Sequence, residues 1–389
     1  MQNSFLINQM NSSVDSKKPK NICVKNGVIE ILIKNTELDN SMITTIIGYA
    51  NYINQNFKST IIPIRFILID VVLTDKLAYV IFECVIETMM SVFHRKIEVY
   101  FTLKKMIITE GISSSPLLLL GNRKNKKLYE KNQEFIDKFN FDYYRNHFRR
   151  VVKYTDYLKS DKLSKLYDDI AYFQKSFDIN YDCLEDVSEV IVELIGNALE
   201  HSKSDCLVDF DIAPNYTTED GDAVCGINIA ILSFSNILLG DSIAKKMSDF
   251  HTNNLENTRY EYVKNAFNNH KNFFDDEYDT VDFYNISTFQ HRISGSEEKI
   301  NNGGIGLTKL VKSIEDNATK HTCYVLSGNR IIMFEPEYLE YNKEGWIGFN
   351  KDNNYLHSQP DPSVLQRSNF FMPGTAYNLN FVMKVNKDE

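Results

Sequence analysis

The segment DVSEVIVELIGNALEHS, residues 186–202, constrains the fold more than any other stretch of the chain. Val187, Val190, Ile191, Leu194, Ile195 and Ala198 recur at three- and four-residue spacing, so they share one stripe of an α-helix. A helix with such a stripe must pack it against something. Glu193, Asn197 and His201 lie four apart, which stacks their side chains about one turn from each other along another side. A carboxylate and a carboxamide aligned this way can divide the work at a nucleotide. The amide oxygen is a hard, neutral ligand for Mg²⁺, and the carboxylate can take a proton from an attacking water or hydroxyl. An amphipathic helix with a polar outer face accounts for the same residues without chemistry, so this segment alone leaves both readings open.

A second constraint comes about a hundred residues later. In NNGGIGLTKLVKSIEDN, residues 301–317, Gly303, Gly304 and Gly306 precede Leu307, Leu310, Val311 and Ile314 at helical spacing. This is a glycine turn opening a helix. Glycine permits positive φ and close backbone approach, and a helix N-terminus presents free N–H groups and a positive dipole end to an anion. Phosphate is the natural ligand for that arrangement. Glycines also end ordinary loops, so the order and spacing of the two segments matter more than either one.

Together the segments resemble the GHKL superfamily, whose ATP-binding module has the Bergerat fold and which includes histidine kinases, anti-sigma serine kinases, gyrase B, MutL and heat-shock chaperone ATPases. ELIGNALEHS looks like the family's N-box and NGGIGLTKL like its phosphate-binding glycine box. The strand-like YVLSGN (residues 324–329) and PGTAYNLNF (residues 373–381) are similar to its closing strands with their Gly-Thr pair. Four elements occur in the family's order, across residues 181–381. The resemblance implies that Asn197 holds Mg²⁺, that Glu193 is the general base, and that Asn302, Gly303, Gly304, Ile305, Gly306 and Leu307 surround the phosphates. Thr375 matches the threonine near the adenine. Many sensor histidine kinases have Asn where this chain has Glu193, whereas ATP-hydrolysing branches and anti-sigma kinases have Glu there. His201 also fits the anti-sigma style of N-box, or it is simply a helix-surface histidine.

Two departures accompany the match. The family's D-x-G-x-G box, whose aspartate receives the adenine amino group, aligns with Ser233, Phe234 and Ser235. A hydroxyl accepts that bond more weakly than a carboxylate. The first glycine of the phosphate box is replaced by Asn302. Residues 241–302 occupy the place of the family's ATP lid. A lid of that length implies a route to partners as well as a cover. Arg292, just before the glycine box, is placed to reach a phosphate from a closed lid, or is a surface-loop arginine.

The remaining chain supports an α/β protein of several domains. Residues 1–22 are Asn-, Ser- and Lys-rich and are expected as a flexible tail. Residues 23–120 carry strand patterns at 28–33, 61–69 and 97–103, with a helix between the first two and another after Thr74, which is placed to cap it. That order loosely resembles a STAS-like domain. A basic turn follows, and then a helical connector is expected through residue 180, with Phe148, Val152, Leu158 and Leu166 among its apolar repeats. The fold expected over 181–389 is a Bergerat-type α/β sandwich, a mixed sheet with helices on one face.

A net charge of −9 repels phosphate and so argues against nucleic acid as a partner. The most apolar region, 61–93, is interrupted by Arg65, Asp70, Asp75, Lys76 and Glu83, too many charges for a membrane span. No signal peptide is legible, and the six cysteines lack C-x-x-C spacing, so the cytoplasm and reduced thiols are expected. Three functions follow from the resemblance: Mg²⁺-dependent ATP binding and hydrolysis driving a switch, a protein kinase of the anti-sigma or histidine type, or a non-catalytic nucleotide-sensing module. The expected ligands are ATP and Mg²⁺. A protein partner would engage the N-terminal α/β domain or the lid, and homodimerisation is a habit of the family.

Overall fold

Alternating apolar and polar residues become strands in the computed structural model, which describes residues 6–7, 19–102, 116–121, 125–139, 143–144, 147–157, 162–177, 181–217, 221, 223–249, 258–290, 293 and 318–384. The protein is mixed α/β, with mixed and antiparallel sheets and no barrel among the described residues. It divides into two compact units, each assembled from separate stretches of chain. One comprises Met1–Val151, Leu207–Ala230 and Asn378–Val382, and the other Val152–Cys206, Ile231–Tyr377 and Met383–Glu389.

The first unit contains a four-stranded sheet in the order β1 (Ile22–Lys25), β2 (Val28–Lys34), β4 (Ile64–Ile69), β6 (Ile97–Thr102). β1 and β2 are antiparallel, and β2, β4 and β6 are parallel. A separate parallel pair joins β3 (Glu37–Leu38) to β5 (Val72–Leu73). Ile29, Ile31, Ile33, Ile64, Phe66, Leu68, Ile97 and Val99 are buried on one face of the larger sheet. On the other face the register Glu30↔Arg65↔Glu98 sets a guanidinium between two carboxylates, at 3.1 Å and 2.9 Å.

Two helices cross between the parallel strands. α1 (Asn40–Asn56) starts where the Asp39 carboxylate accepts the Ser41 N–H, and it buries Ile43, Ile46, Ile47, Ala50 and Ile53. α2 (Lys76–Ser91) is buried over nearly its whole length. Its cap is Asp75, which accepts the Ala78 N–H at 3.0 Å, and not Thr74 as expected. A carboxylate one residue nearer the first turn is the stronger acceptor for its free N–H groups. Beyond β6, a 3-10 turn at Pro116–Leu120 leads to α3 (Leu128–Lys138).

The expected helical connector is interrupted by strands. β7 (Tyr143–Tyr144) pairs antiparallel with β8 (His147–Val152), which is followed by α4 (Tyr154–Tyr157) and α5 (Lys162–Lys175). Phe148 and Val152 are four apart, a spacing that fits one face of a strand as well as one face of a helix. Within the first unit, β8 continues a sheet through β9 (Cys206–Thr217) and β10 (Ala223–Phe234) to Asn378–Val382 of β12 (Leu365–Lys384).

In the second unit the ends of β10 and β12 adjoin β11 (Ala318–Met333). α5 packs on α6 (Tyr181–Ser202), which carries the apolar stripe from Val187 to Ala198. Of the expected lid, the described parts are α7 (Asp241–Asp249), α8 (Thr258–His270) and α9 (Thr280–Ser287). These helices gather aromatic side chains: Phe267, the buried Phe283 and Tyr284 contact one another, and Trp346 stacks between Tyr262 at 4.3 Å and Tyr355 at 5.4 Å.

Candidate functional site

α6 carries the N-box-like residues in the manner its periodicity dictates. Val187, Val190, Ile191, Leu194, Ile195, Ala198 and Leu199 are buried, while Glu193 and Asn197 beside that stripe are half-buried. Ser188 hydrogen-bonds Gln174 of α5 in the buried seam between the two helices. The Asn197 carboxamide has no hydrogen-bond partner among the described residues. His201 is on the helix, but its side chain is outside the described residues.

Tyr377 of β12 lies within electrostatic reach of Glu193. Burial first, then Cys206 and the Glu193 carboxylate, push its hydroxyl well above the ordinary tyrosine range, so it remains a neutral donor. Burial, reinforced by Asp205, likewise raises the Cys206 thiol far above neutrality, which removes it as a nucleophile.

The Gly-Thr pair is held by strand contacts. Gly374 has φ +91°, and a Cβ there would sit 2.1 Å from the Ser233 carbonyl oxygen and 2.8 Å from the Ser235 nitrogen. No other residue type allows β10 and β12 to approach so closely at this point. The Gly374 carbonyl accepts from Ser327 Oγ at 2.6 Å, and Ser327 Oγ accepts the Leu239 N–H at 2.9 Å. Thr375 is buried next to it.

Ser233, aligned with the family's adenine-binding aspartate, is fully buried, and its hydroxyl lies 2.6 Å from Ser202 Oγ and 2.9 Å from Ser204 Oγ. Ser235 instead makes a local turn, accepting the Ile237 N–H at 2.8 Å. The end of α6, β10 and β12 therefore bring Ser202, Ser233 and Gly374 together in the second unit, and Glu193 lies within electrostatic reach of Tyr377 on β12. Arg292, Asn302, Gly303, Gly304, Ile305, Gly306 and Leu307 lie outside the described residues. Sequence reasoning missed Ser202 and Ser204 because serines after a helix look like ordinary terminators. It missed Tyr377 because an alternating strand makes an aromatic residue look like core.

Among the described residues no three His, Cys, Asp or Glu side chains are arranged to hold a metal ion. Mg²⁺ bound with a nucleotide takes most of its ligands from phosphate and water, so one amide oxygen suffices. A half-buried Asn197 with no hydrogen-bond partner among the described residues fits that demand. A cavity of about 390 Å³ in the same unit, lined by Asp275, Asp276, Glu277, Tyr278, Pro360 and Arg367, contains none of the residues singled out in the sequence. Its arginine is already engaged by the buried Asp282 carboxylate at 3.1 Å and 2.7 Å.

His147 is fully buried with Nε2 2.8 Å from Asp209 Oδ2. A phosphoryl donor has no access to it. No protein-family model matches the chain, and neither a curated protein nor a solved structure matches it.

Proposed function

We propose that the second unit is a GHKL-type module of Bergerat architecture that binds Mg²⁺-ATP and hydrolyses it to drive a conformational or signalling switch. The observation that carries this reading is the Asn197 carboxamide, without a hydrogen-bond partner among the described residues, one helical turn beyond Glu193, which lies within electrostatic reach of Tyr377 on the strand bearing Gly374 and Thr375. An amphipathic surface helix requires no such alignment with that strand. Bound Mg²⁺ would neutralise phosphate charge and orient the terminal phosphoryl group. Asn197 would offer its oxygen to the ion, Glu193 would accept the proton of the attacking water, and Gly303, Gly304 and Gly306 are the residues the resemblance assigns to the phosphates.

The test combines phosphate release with melting curves in Mg²⁺ and ATP. Glu193→Gln should bind nucleotide like the parent chain and lose about 100-fold or more in turnover, the scale expected for removing a general base. Asn197→Ala should lose the Mg²⁺-dependent part of the stabilisation. Parent-level turnover in Glu193→Gln, or no effect of nucleotide on the parent's melting, would reject the assignment.

A further inference from the structure

In the first unit, the register Ile29↔Ile64↔Ile97 sets the starts of β2, β4 and β6 in one row, with Val24 of β1 opposite Ile29 at its free end. The segments leading into that row are VKNGV (residues 24–28), FKSTIIP (57–63) and VFHRK (92–96), and none contains an acidic residue. They lie side by side. The Ile29 N–H donates to the Pro63 carbonyl at 2.9 Å, and the Ile64 N–H donates to the Lys96 carbonyl at 2.8 Å. Arg95 ties the second segment to the third: its buried guanidinium donates to the Ser59 carbonyl at 2.9 Å, to the Phe57 carbonyl and to Asn54 Oδ1. These partners are neutral dipoles, so its positive charge is solvated there without being cancelled.

The same end of the sheet is apolar at its surface. Val24 is 55% exposed, Ile61 75% and Val92 37%, three of the eight large apolar side chains exposed among the described residues. Between them Lys25, Lys58 and Lys96 are exposed, with no ion pair among the described residues. The adjacent acids, Glu30 and Glu98, project from the opposite face and hold Arg65 between them, so this end keeps a net positive charge. Cations alone would suit any polyanion. Apolar side chains set among them call for a partner with an apolar layer behind its anionic groups, and an anionic bilayer has that order. We infer that this end of the first unit docks on an anionic lipid surface, with Ile61 entering the acyl boundary and the three lysines at the headgroups. Lysine stems can lie along the apolar side chains while their ammonium groups stay in the headgroup layer. The chain's net charge of −9 does not prevent this, because charges further off than the Debye length of about 10 Å are screened.

The experiment is co-sedimentation of the full chain, in about 0.1 M salt, with vesicles of phosphatidylcholine alone or with about one quarter phosphatidylserine. The chain should pellet with the anionic vesicles and stay in solution with the neutral ones. Lys58→Ser should weaken the partition about fivefold, the scale of one lysine at an anionic surface, and Ile61→Ser about tenfold, the scale of one apolar side chain withdrawn from the acyl boundary. Both positions are exposed in a turn, so neither change removes packing, and circular dichroism checks that each variant is folded. Tyr172→Ser, at an exposed aromatic of α5 in the other unit, should pellet like the parent. No pelleting with anionic vesicles, equal pelleting with neutral ones, or an Ile61→Ser variant that pellets like the parent would overturn the inference. So would binding to heparin, a soluble polyanion, as tight as to the anionic vesicles and indifferent to Ile61→Ser, since that would assign the lysines to a polyanion without an apolar layer.

Discussion

His270 illustrates how a carbonyl fixes the state of a titratable side chain. It is 1% exposed, and its Nε2 lies 2.8 Å from the Tyr355 carbonyl oxygen, so Nε2 carries the hydrogen and Nδ1 accepts from the Tyr278 hydroxyl at 2.5 Å. Burial above all holds its pKa below the ordinary histidine value, against the bond to Tyr355, which favours the proton. The unfolded chain, with histidine near about 6.5, binds the proton more readily, so this contribution is complete above that pH and is lost as the pH falls below it. Trp346, the chain's one tryptophan, stacks on Tyr355 and reports on this region. The urea midpoint followed by its fluorescence should fall between about pH 7.5 and 5.5. His270→Gln should flatten that dependence, and His270→Ala should cost about 3 kcal/mol through two lost buried hydrogen bonds and a cavity. An unchanged pH slope in His270→Gln would show that the histidine does not set it. None of this was legible in the sequence, where His270 is one polar residue in an Asn-rich run. By contrast, the half-buried stripe of Glu193 and Asn197 was legible, because helical spacing fixes side-chain direction before any tertiary contact forms. Ser233 was legible as a position but not as a surroundings, since its partners follow from how helix and strand ends meet.

At the scale of elements, periodicity found helices and strands wherever one face is apolar, and it failed at β8. That strand buries His147 and Arg149, polar side chains that pattern reading assigns to a surface. They are inside because the first unit concentrates charge there. Arg149 meets both Glu83 of α2 and Asp209 of β9, and Lys76 of α2 meets Asp209 at 2.6 Å and also Asp211. Asn228 donates to Asp211 at 3.0 Å and accepts from Asn380 at 2.8 Å. Burial alone would raise the Asp209 carboxyl, but Arg149, His147 and Lys76 outweigh it and hold the group well below the carboxylate range. Its contribution to stability is therefore full above about pH 4, the unfolded value, and disappears as acid titrates it. Removing one member of such a network leaves charge buried without compensation, which costs about 3–5 kcal/mol. Arg149→Met should lower the stability of the first unit by that amount, read as faster hydrogen exchange at the α2 amides. Parent-like protection there would show that the network adds no stability.

For the whole chain, the linear division at residues 120 and 180 describes the sequence, whereas the compact units are assembled from pieces far apart in it. α2 makes the difference concrete. The carboxylates that meet Lys76 come from β9, and the acceptor for the Leu77 N–H is Asn378 Oδ1 at 3.0 Å, from near the other end of the chain. A polypeptide of residues 1–151 has the four-stranded sheet and both crossing helices, but lacks every one of those partners. Its Lys76, Glu83, His147 and Arg149 would have to be buried without Asp209 and Asp211, or else stay in water and keep α2 from packing. Burying them is the costlier course, since an unpaired charge in an apolar interior is disfavoured by several kcal/mol. The fragment should therefore keep helical circular dichroism, bind a hydrophobic dye and unfold without a sharp transition, as chains do when secondary structure outlasts specific packing. Co-expression with residues 152–389 should restore cooperative unfolding. A sharp urea transition in the isolated fragment would mean that the buried charges settle without strands β9 and β12, and that the first unit closes before the rest of the chain is made.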